Sequence, residues 1–125
     1  MITYDFGADG HYISKKDREA RLPILRPSTK RVIVANGEKI KGQHVTSLPF
    51  PLLSSKAQQA DTFKEFPMSL MSIGKTADDD KISIFTKDGV TVHNKKDVLI
   101  TCKNKPLFIR VRDKDRRYQI LIVQR

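Results

Sequence analysis

Short stretches of alternating apolar and polar residues follow one another along most of this chain. The clearest is 82–86, which alternates over its first three residues, turns at 87–89 and returns as 90–93. Similar stretches, bounded by polar or glycine-containing turns, lie at 2–4, 12–13, 32–35, 43–48, 69–73, 98–101, 107–112 and 118–123. Short strands at such spacing are typical of an all-β protein. The pattern predicts a sandwich or a partly closed β-barrel, with a C-terminal β-meander over 82–123.

A hairpin is predicted most directly within 31–48. A β-branched run at 32–34 leads into Asn36-Gly37, a strong short-range hairpin signal because both residues tolerate the positive φ angles of a tight turn. Residues 38–41 then alternate charged and apolar side chains, and Gly42 separates them from the next predicted strand.

Helical character is predicted at two places only. Ser14 begins a polar segment, 14–21, and is placed to cap a short helical turn that contains Asp17. The apolar side chains of 54–66 have a weakly helical spacing, for which a long surface loop is the alternative. The sequence therefore predicts at most one or two short helices.

The chain has a single-domain length, 125 residues, and a formal net charge of +10. Such a charge favours an anionic neighbour, either nucleic acid or a larger assembly, with a solvated basic surface as the plain alternative. Five basic residues close together near the C-terminus are candidate nucleic-acid contacts, although charges also protect edge strands from pairing. They are Arg110, Arg112, Lys114, Arg116 and Arg117.

The cysteine, the apolar runs and the histidines of the chain bear on its compartment, on membrane binding and on metal binding. Cys102 is the single cysteine, which excludes an internal disulfide and favours a reducing, intracellular compartment, cytoplasmic or organellar. No apolar run has membrane-spanning length, so no membrane partner is expected. His11, His44 and His93 lack metal-ligand spacing and are expected at the surface or half-buried. No metal or other cofactor is predicted.

The candidate chemistry lies in residues 5–9. A short apolar run ends at Asp5, and a bulky apolar residue, Gly7, Ala8 and Asp9 follow. This order predicts a strand that ends in a tight turn holding one carboxylate at its tip. It resembles the active-site motif of the retropepsins, the aspartic proteases of retroviruses and retrotransposons, in which Asp is followed by Thr or Ser, Gly and Ala. Phe6 departs from that motif, because it stands where the family has a hydroxyl.

A second stretch strengthens the resemblance. Ser72-Ile73-Gly74-Lys75 is similar to the retropepsin element in which two apolar residues and a glycine pack behind the catalytic loop. This stretch and 84–92 also resemble the protease region of Copia-type retrotransposon polyproteins. The order of motif, Asn-Gly hairpin and Ile-Gly-Lys matches the family over most of the chain.

The resemblance implies a homodimeric aspartic endopeptidase that acts on a peptide or polyprotein. One Asp per subunit, Asp5, would activate water, because a chain with one motif completes the carboxylate pair only across a two-fold axis. The hairpin would be the flap over the bound peptide. Contacts to the peptide are expected from Gly7, Ala8, Asp9, Asn36 and Gly37. Support of the loop is expected from Phe6, Ile73, Gly74 and Lys75.

Two functions remain open from the sequence. Asp5, Gly7 and Gly74 favour an active peptidase. Phe6 favours a degenerate domain, and so does the expectation that the strands retropepsins have ahead of the motif are missing or replaced by C-terminal strands. In the second case the chain would be a non-catalytic basic module that binds RNA or a protein assembly on a retropepsin-like scaffold.

Overall fold

The structure is a computed structural model that describes residues 1–19, 22–34, 36–109 and 111–118. Within these ranges the chain is mostly β, which confirms the predicted class. The strands are β1 (Ile2–Asp5), β2 (Tyr12–Ser14), β3 (Arg26–Pro27), β4 (Arg31–Ile33), β5 (Lys39–Lys41), β6 (His44–Ser47), β7 (Gln59–Phe63), β8 (Ser69–Ser72), β9 (Lys81–Thr86) and β10 (Gly89–Asn94).

Six of the described strands form the main sheet, in the order β1-β8-β2-β7-β6-β3. Strand β8 lies between β1 and β2, parallel to β1 and antiparallel to β2. The 6–11 loop, which joins β1 to β2, is therefore held at both ends by the same central strand. The sheet is open, with β1 and β3 at its edges, so the described strands do not close into the expected barrel.

The core of the main sheet is small. Ile13 on β2, Ala60 on β7 and Leu48, which directly follows β6, are buried against one another. Beside them, the rings of Phe63 and Phe66 stack at 4.6 Å between centroids, and Tyr12 meets both edge-on. This apolar group fixes the β2–β7 pair, from which the 6–11 loop departs.

Helices are short. In the described residues there are three α-helices, α1 (Lys15–Glu19), α2 (Ser55–Gln58) and α3 (Ile73–Asp78), and one 3-10 helix (Lys95–Asp97). The expectation of at most one or two helices is therefore wrong. The predicted cap of α1 is present, because the Asp17 backbone N–H donates to Ser14 Oγ at 3.3 Å.

The helix predicted over 54–66 is confirmed only at its start. Helix α2 ends at Gln58, and the chain continues as β7 at 59–63. Strand β2 needs a parallel neighbour, and β7 supplies it with Ile13 opposite Thr62. Tertiary pairing thus overrides a weak helical preference.

Both predicted hairpins form. In β4–β5, Ile33 pairs with Lys39, and Gly37 has φ +84°, the conformation that the Asn-Gly turn requires. This hairpin is shorter than the predicted flap over 31–48, since residues 44–47 belong to the main sheet. The second hairpin, β9–β10, pairs Ile84 with Thr91.

The predicted C-terminal meander is wrong over the described residues that follow this second hairpin. Residues 98–101 and the described part of 107–112 carry no strand. Their apolar side chains are exposed, with Leu99 at 93% and Leu107 at 99% of full exposure. The predicted strand at 118–123 lies, except for Tyr118, outside the described residues.

Candidate functional site

The loop after β1 holds its first carboxylate as the sequence predicts. Strand β1 ends at Asp5, and the backbone N–H of Gly7 donates to Asp5 Oδ1 at 2.8 Å. The Asp5 side chain is half-buried and forms no ion pair with any described residue. A fixed carboxylate without a neutralising cation is available to polarise a water or to meet a second carboxylate.

Asp5 opens into a cleft of about 440 Å³ between the loop and the first hairpin. The loop contributes Gly7, Ala8 and Asp9, and the hairpin contributes residues 31–34. The remaining lining comes from Tyr12, Lys30, Phe66, Leu70 and Arg117. The structure thus brings the predicted carboxylate motif and the predicted flap strand to one concave surface.

The tip of the first hairpin does not lie at the cleft, where the sequence placed its contacts to a peptide. Asn36 and Gly37 are exposed and do not line this cleft. The side chain of Asn36 closes its own turn, since Asn36 Oδ1 accepts from the Glu38 backbone N–H at 2.9 Å. A contact from these two residues to a peptide in the cleft would require the hairpin to bend toward it.

Asp9 is held by contacts within the chain. Its carboxylate accepts a hydrogen bond from the Tyr12 hydroxyl and lies 3.8 Å from Lys30 Nζ. Its backbone carbonyl accepts from Arg116 Nη1 at 3.0 Å. Burial and the neighbouring Asp9 carboxylate raise the pKa of Tyr12, so the hydroxyl remains a donor. Asp9 is therefore positioned to shape the cleft wall, as well as being the expected contact to a peptide backbone.

Ser72 fastens the loop from behind. Ser72 Oγ donates to the Ala8 carbonyl at 2.7 Å and accepts from the Lys75 backbone N–H at 3.0 Å, which caps α3. The Thr76 hydroxyl donates to the Ser72 carbonyl at 2.9 Å. One serine thus joins the carboxylate loop to the start of the helix.

His11 completes this support and is fully buried, at 1% exposure, contrary to the expected surface or half-buried position. The Ser72 backbone N–H donates to His11 Nδ1 at 2.9 Å, so Nε2 carries the proton and donates to the Ala57 carbonyl at 2.8 Å. Burial, reinforced by the Lys75 charge, lowers the pKa of His11 to about 4. The ring is therefore a neutral bridge between the loop, β8 and α2.

The Ile73-Gly74-Lys75 element begins α3. Ile73 and Gly74 are buried, and a Cβ on Gly74 would collide with the backbone carbonyl of Arg116. Gly74 therefore permits close approach of the C-terminal segment, while Ser72 makes the contact behind the loop. Lys75 Nζ donates to the Gln59 carbonyl at 2.5 Å, and burial lowers the pKa of Lys75.

Phe6 has an intramolecular role. Its ring packs on Phe85 of β9 at 5.3 Å between centroids and meets Tyr118 edge-on at 6.2 Å. The adjacent Tyr4 stacks on Phe85 and hydrogen-bonds Ser83 at 2.7 Å. Phe6, the residue that departs from the retropepsin motif, therefore anchors the β9–β10 hairpin beside the end of β1. Its side chain remains 50% exposed.

Two of the C-terminal basic residues, Arg112 and Arg116, are engaged within the chain. Arg112 and Arg116 both pair with the Asp78 carboxylate, and Arg112 Nη1 also donates to the Gly74 carbonyl at 3.1 Å. Arg117 lines the cleft, Lys114 is exposed, and Arg110 lies outside the described residues. Instead of a uniform patch, the described arginines tie residues 112–118 across α3 and the loop.

Four residues were given no role in this site by the sequence pattern: Ser72, Tyr12, Lys30 and the buried His11. Ser72 carries a usable signal, because a serine three residues before Lys75 matches the N-cap spacing of a helix. Tyr12 contacts Asp9 only three residues away, but nothing in the pattern indicates the direction of its side chain. Lys30 and His11 act through contacts to residues distant in sequence, which only the fold reveals.

Comparison with known proteins finds no matching family model, no matching curated protein and no matching solved structure. Within the described residues, no three His, Cys, Asp or Glu side chains are grouped to hold a metal ion. No helix in the same part of the chain is long and apolar enough to cross a membrane. The function must be argued from the residues and geometry of this chain.

Proposed function

We propose that this chain is a retropepsin-like aspartic endopeptidase that acts as an intracellular homodimer on a peptide or polyprotein, with one Asp5 from each subunit. The observation that carries the proposal is the shared cleft, in which the Asp5 loop faces the strand of the Asn-Gly hairpin. The network from Ser72 to the loop supports it, because catalytic carboxylates need a fixed backbone.

The chemistry needs two carboxylates that share one proton. At hydrogen-bonding distance both cannot ionise, so one takes a proton from the attacking water while the other protonates the scissile carbonyl oxygen. The pair titrates as a unit. The Gly7 N–H donates to Asp5 Oδ1, which leaves Oδ2 for the partner carboxylate or the water.

Features outside the cleft support a second copy as the partner. Strand β1, which carries Asp5, is at an edge of the main sheet, so one side of its backbone pairs with no other described strand. Apolar side chains of strand-like sequence are exposed near the C-terminus, including Ile109 at 75% and Val111 at 88%. A symmetric dimer would bury such surface and bring the two loops together.

The bound peptide would be extended along the cleft. Val32, Ile33 and Val34 supply an apolar wall on the hairpin side, and Leu70 and Phe66 continue it. Recognition through main-chain hydrogen bonds to a strand, with side chains in alternate pockets, is the usual way that an extended peptide is held.

Replacing Asp5 tests the proposal. We expect Asp5→Asn to lower cleavage of a peptide library at least about 100-fold, because it removes the group that handles the proton. Unfolding should change little, since the amide oxygen still accepts from Gly7. Asp88→Asn, in the exposed β9–β10 turn, is the matched control. A pepstatin-like inhibitor should stop the wild-type reaction, and cleavage that persists in Asp5→Asn would refute the proposal.

The alternative is a non-catalytic basic module on the same scaffold, bound to RNA or to a protein assembly. The exposed lysines at 95, 96, 103, 105 and 114 favour it, together with the net charge of +10. It predicts salt-sensitive binding that Asp5→Asn leaves unchanged. The engagement of Arg112 and Arg116 with Asp78 removes two of its strongest candidate contacts.

A further inference from the structure

The cleft beside Asp5 contains three cationic side chains as well as two carboxylates. Lys30, Arg31 and Arg117 line the same surface as Asp5 and Asp9. Lys30 is close to Asp9, at 3.8 Å, so its charge is partly matched. A peptide that enters the cleft therefore meets uncompensated positive charge next to the apolar hairpin wall.

Arg117 combines a buried donor with an accessible guanidinium end. Its Nε is buried and has no hydrogen-bond partner among the described residues. The side chain as a whole is 41% exposed and lines the cleft, so the rest of the guanidinium is open to a ligand. Its Nη2 is 3.8 Å from Asp115 Oδ2, an exposed and weak pair that a better-placed carboxylate can replace.

The backbone holds Arg117 in place. Its N–H donates to Asp113 Oδ1 at 3.0 Å, and its carbonyl accepts from the Asp113 N–H at 2.9 Å. The preceding residue, Arg116, is fixed by Asp78 and by the Asp9 carbonyl. Arg117 is thus presented to the cleft by a braced turn.

Two parallel N–H donors of a guanidinium match the two oxygens of a carboxylate, and in Arg117 the two Nη atoms form the accessible edge because Nε is buried. From this geometry we infer that Arg117 recognises a carboxylate of the peptide bound beside Asp5, so that the chain selects acidic peptides. The inference rests on the proposed function and specifies its substrate class. The carboxylate belongs to a Glu or Asp side chain or to the peptide's C-terminus.

A nucleic acid is a poorer fit to this cleft. Asp5 and Asp9 lie on the same surface and would repel successive phosphates. The hairpin wall, formed by Val32, Ile33 and Val34, is aliphatic. The two aromatic rings in the lining are already engaged, Tyr12 with Asp9 and Phe66 by stacking on Phe63, which leaves little for a base to stack on.

Binding without turnover tests the inference. Fluorescence polarisation of the full-length Asp5→Asn chain would use a short labelled peptide with apolar flanks and one Glu, scanned through each position, against its Gln counterpart. Both would be made with free and with amidated C-termini, which separates the two sources of the carboxylate. We expect a carboxylate form to bind about tenfold more tightly than its neutral match.

Variants assign the preference to Arg117. Arg117→Gln should remove it, Arg117→Lys should keep part of it because the charge remains without the fork, and the exposed Lys114→Gln should keep all of it. Equal affinity for acidic and neutral peptides, a preference retained in Arg117→Gln, or displacement only by an oligonucleotide would overturn the inference. Selective binding without any cleavage by wild type would support it while refuting the peptidase.

Discussion

The main sheet and the segment from 98 to 118 have similar apolar sequences but opposite structures. Strand β7 is buried and paired on both sides, whereas 98–101 and 107–109 are exposed and irregular. The sheet is stabilised by burial and the C-terminal segment by a few ionic contacts to α3. The comparison shows that an alternating pattern makes a strand only where the fold offers a partner.

The main sheet and the C-terminal segment are therefore expected to contribute to different properties of the molecule. The sheet and the Ser72 network fix the Asp5 loop within one subunit. The C-terminal segment leaves apolar side chains exposed, and a second copy that buried them would bring its own Asp5. Changes in the two regions should therefore affect different quantities, namely the stability of the subunit and the association of subunits.

The largest contrast is expected between two phenylalanines. Phe63→Ala should lower the free energy of unfolding by about 3–5 kcal/mol, because the ring is fully buried against Tyr12 and Phe66. Phe108→Ala should change it by less than about 0.5 kcal/mol, because Phe108 is 65% exposed. Urea unfolding of the dilute chain measures both.

For the association of two copies, we expect the opposite ranking, with the larger effect from the change at Phe108. Sedimentation at increasing concentration should show weaker dimerisation in Phe108→Ala than in wild type. Comparable losses of unfolding free energy in the two variants would contradict the division between a buried sheet and an unpaired segment.

The next largest effect is expected in the dependence of folding stability on pH. The unfolded chain protonates His11 near pH 6.5, but the folded chain does so only near pH 4, so the unfolded state binds the proton first as pH falls. Stability should be complete above about pH 6.5 and drop by about 3 kcal/mol down to pH 4. Urea midpoints across this range measure the drop, and His11→Gln should flatten it.

His93, which is exposed, provides the control. His93→Gln should keep the wild-type dependence of stability on pH. A wild-type profile that is flat from pH 6.5 to 4 would contradict the buried neutral ring. If the profile falls as expected, any aspartic peptidase activity is confined to the near-neutral side of its usual range, because the subunit weakens in acid.

Changes that weaken the contacts between residues 112–118 and α3 are expected to have a smaller effect. Gly74→Ala places a methyl group against the Arg116 carbonyl and should cost about 1–3 kcal/mol or displace residues 112–118. Asp78→Asn should displace them more gently, because it weakens the pairs with Arg112 and Arg116. Limited tryptic digestion should then cut sooner at Lys114 than in wild type. Unchanged digestion of both variants would show that the segment is held in some other way.

The smallest effect concerns the hairpin. Asn36→Ala removes the side-chain acceptor for the Glu38 N–H and should cost about 0.5–1.5 kcal/mol, most visible as faster hydrogen exchange at Val34 and Glu38. Glu38→Gln retains the turn and is the matched variant. If exchange in the hairpin is the same in Asn36→Ala and wild type, the side chain does not stabilise the turn.

Local signals in the sequence were sufficient where a few adjacent residues determine the backbone. The Asn36-Gly37 turn, the Ser14 cap and the β9–β10 hairpin are of this kind. The carboxylate loop also follows from its own residues, through the bond from Gly7 to Asp5. These features are confirmed because no distant contact competes with them.

The remaining features depend on partners far along the chain. Residues 59–63 become a strand because β2 needs a neighbour, and His11 is buried because Ser72 and Ala57 complete its hydrogen bonds. Residues 98–101 stay irregular because no described strand pairs with them. Arg117 reaches the cleft only because Asp78 and Gly74 dock the segment that carries it.

The central claim is that two copies of Asp5 meet across a two-fold axis, and a cysteine at that position measures it most directly. Asp5→Cys in a Cys102→Ser background should form a covalent dimer under mild oxidation, since a disulfide requires Cα atoms within about 7 Å. Lys114→Cys in the same background should stay mostly monomeric on a non-reducing gel. A chain that remains monomeric with Asp5→Cys, under conditions where sedimentation finds a dimer, would contradict the claim.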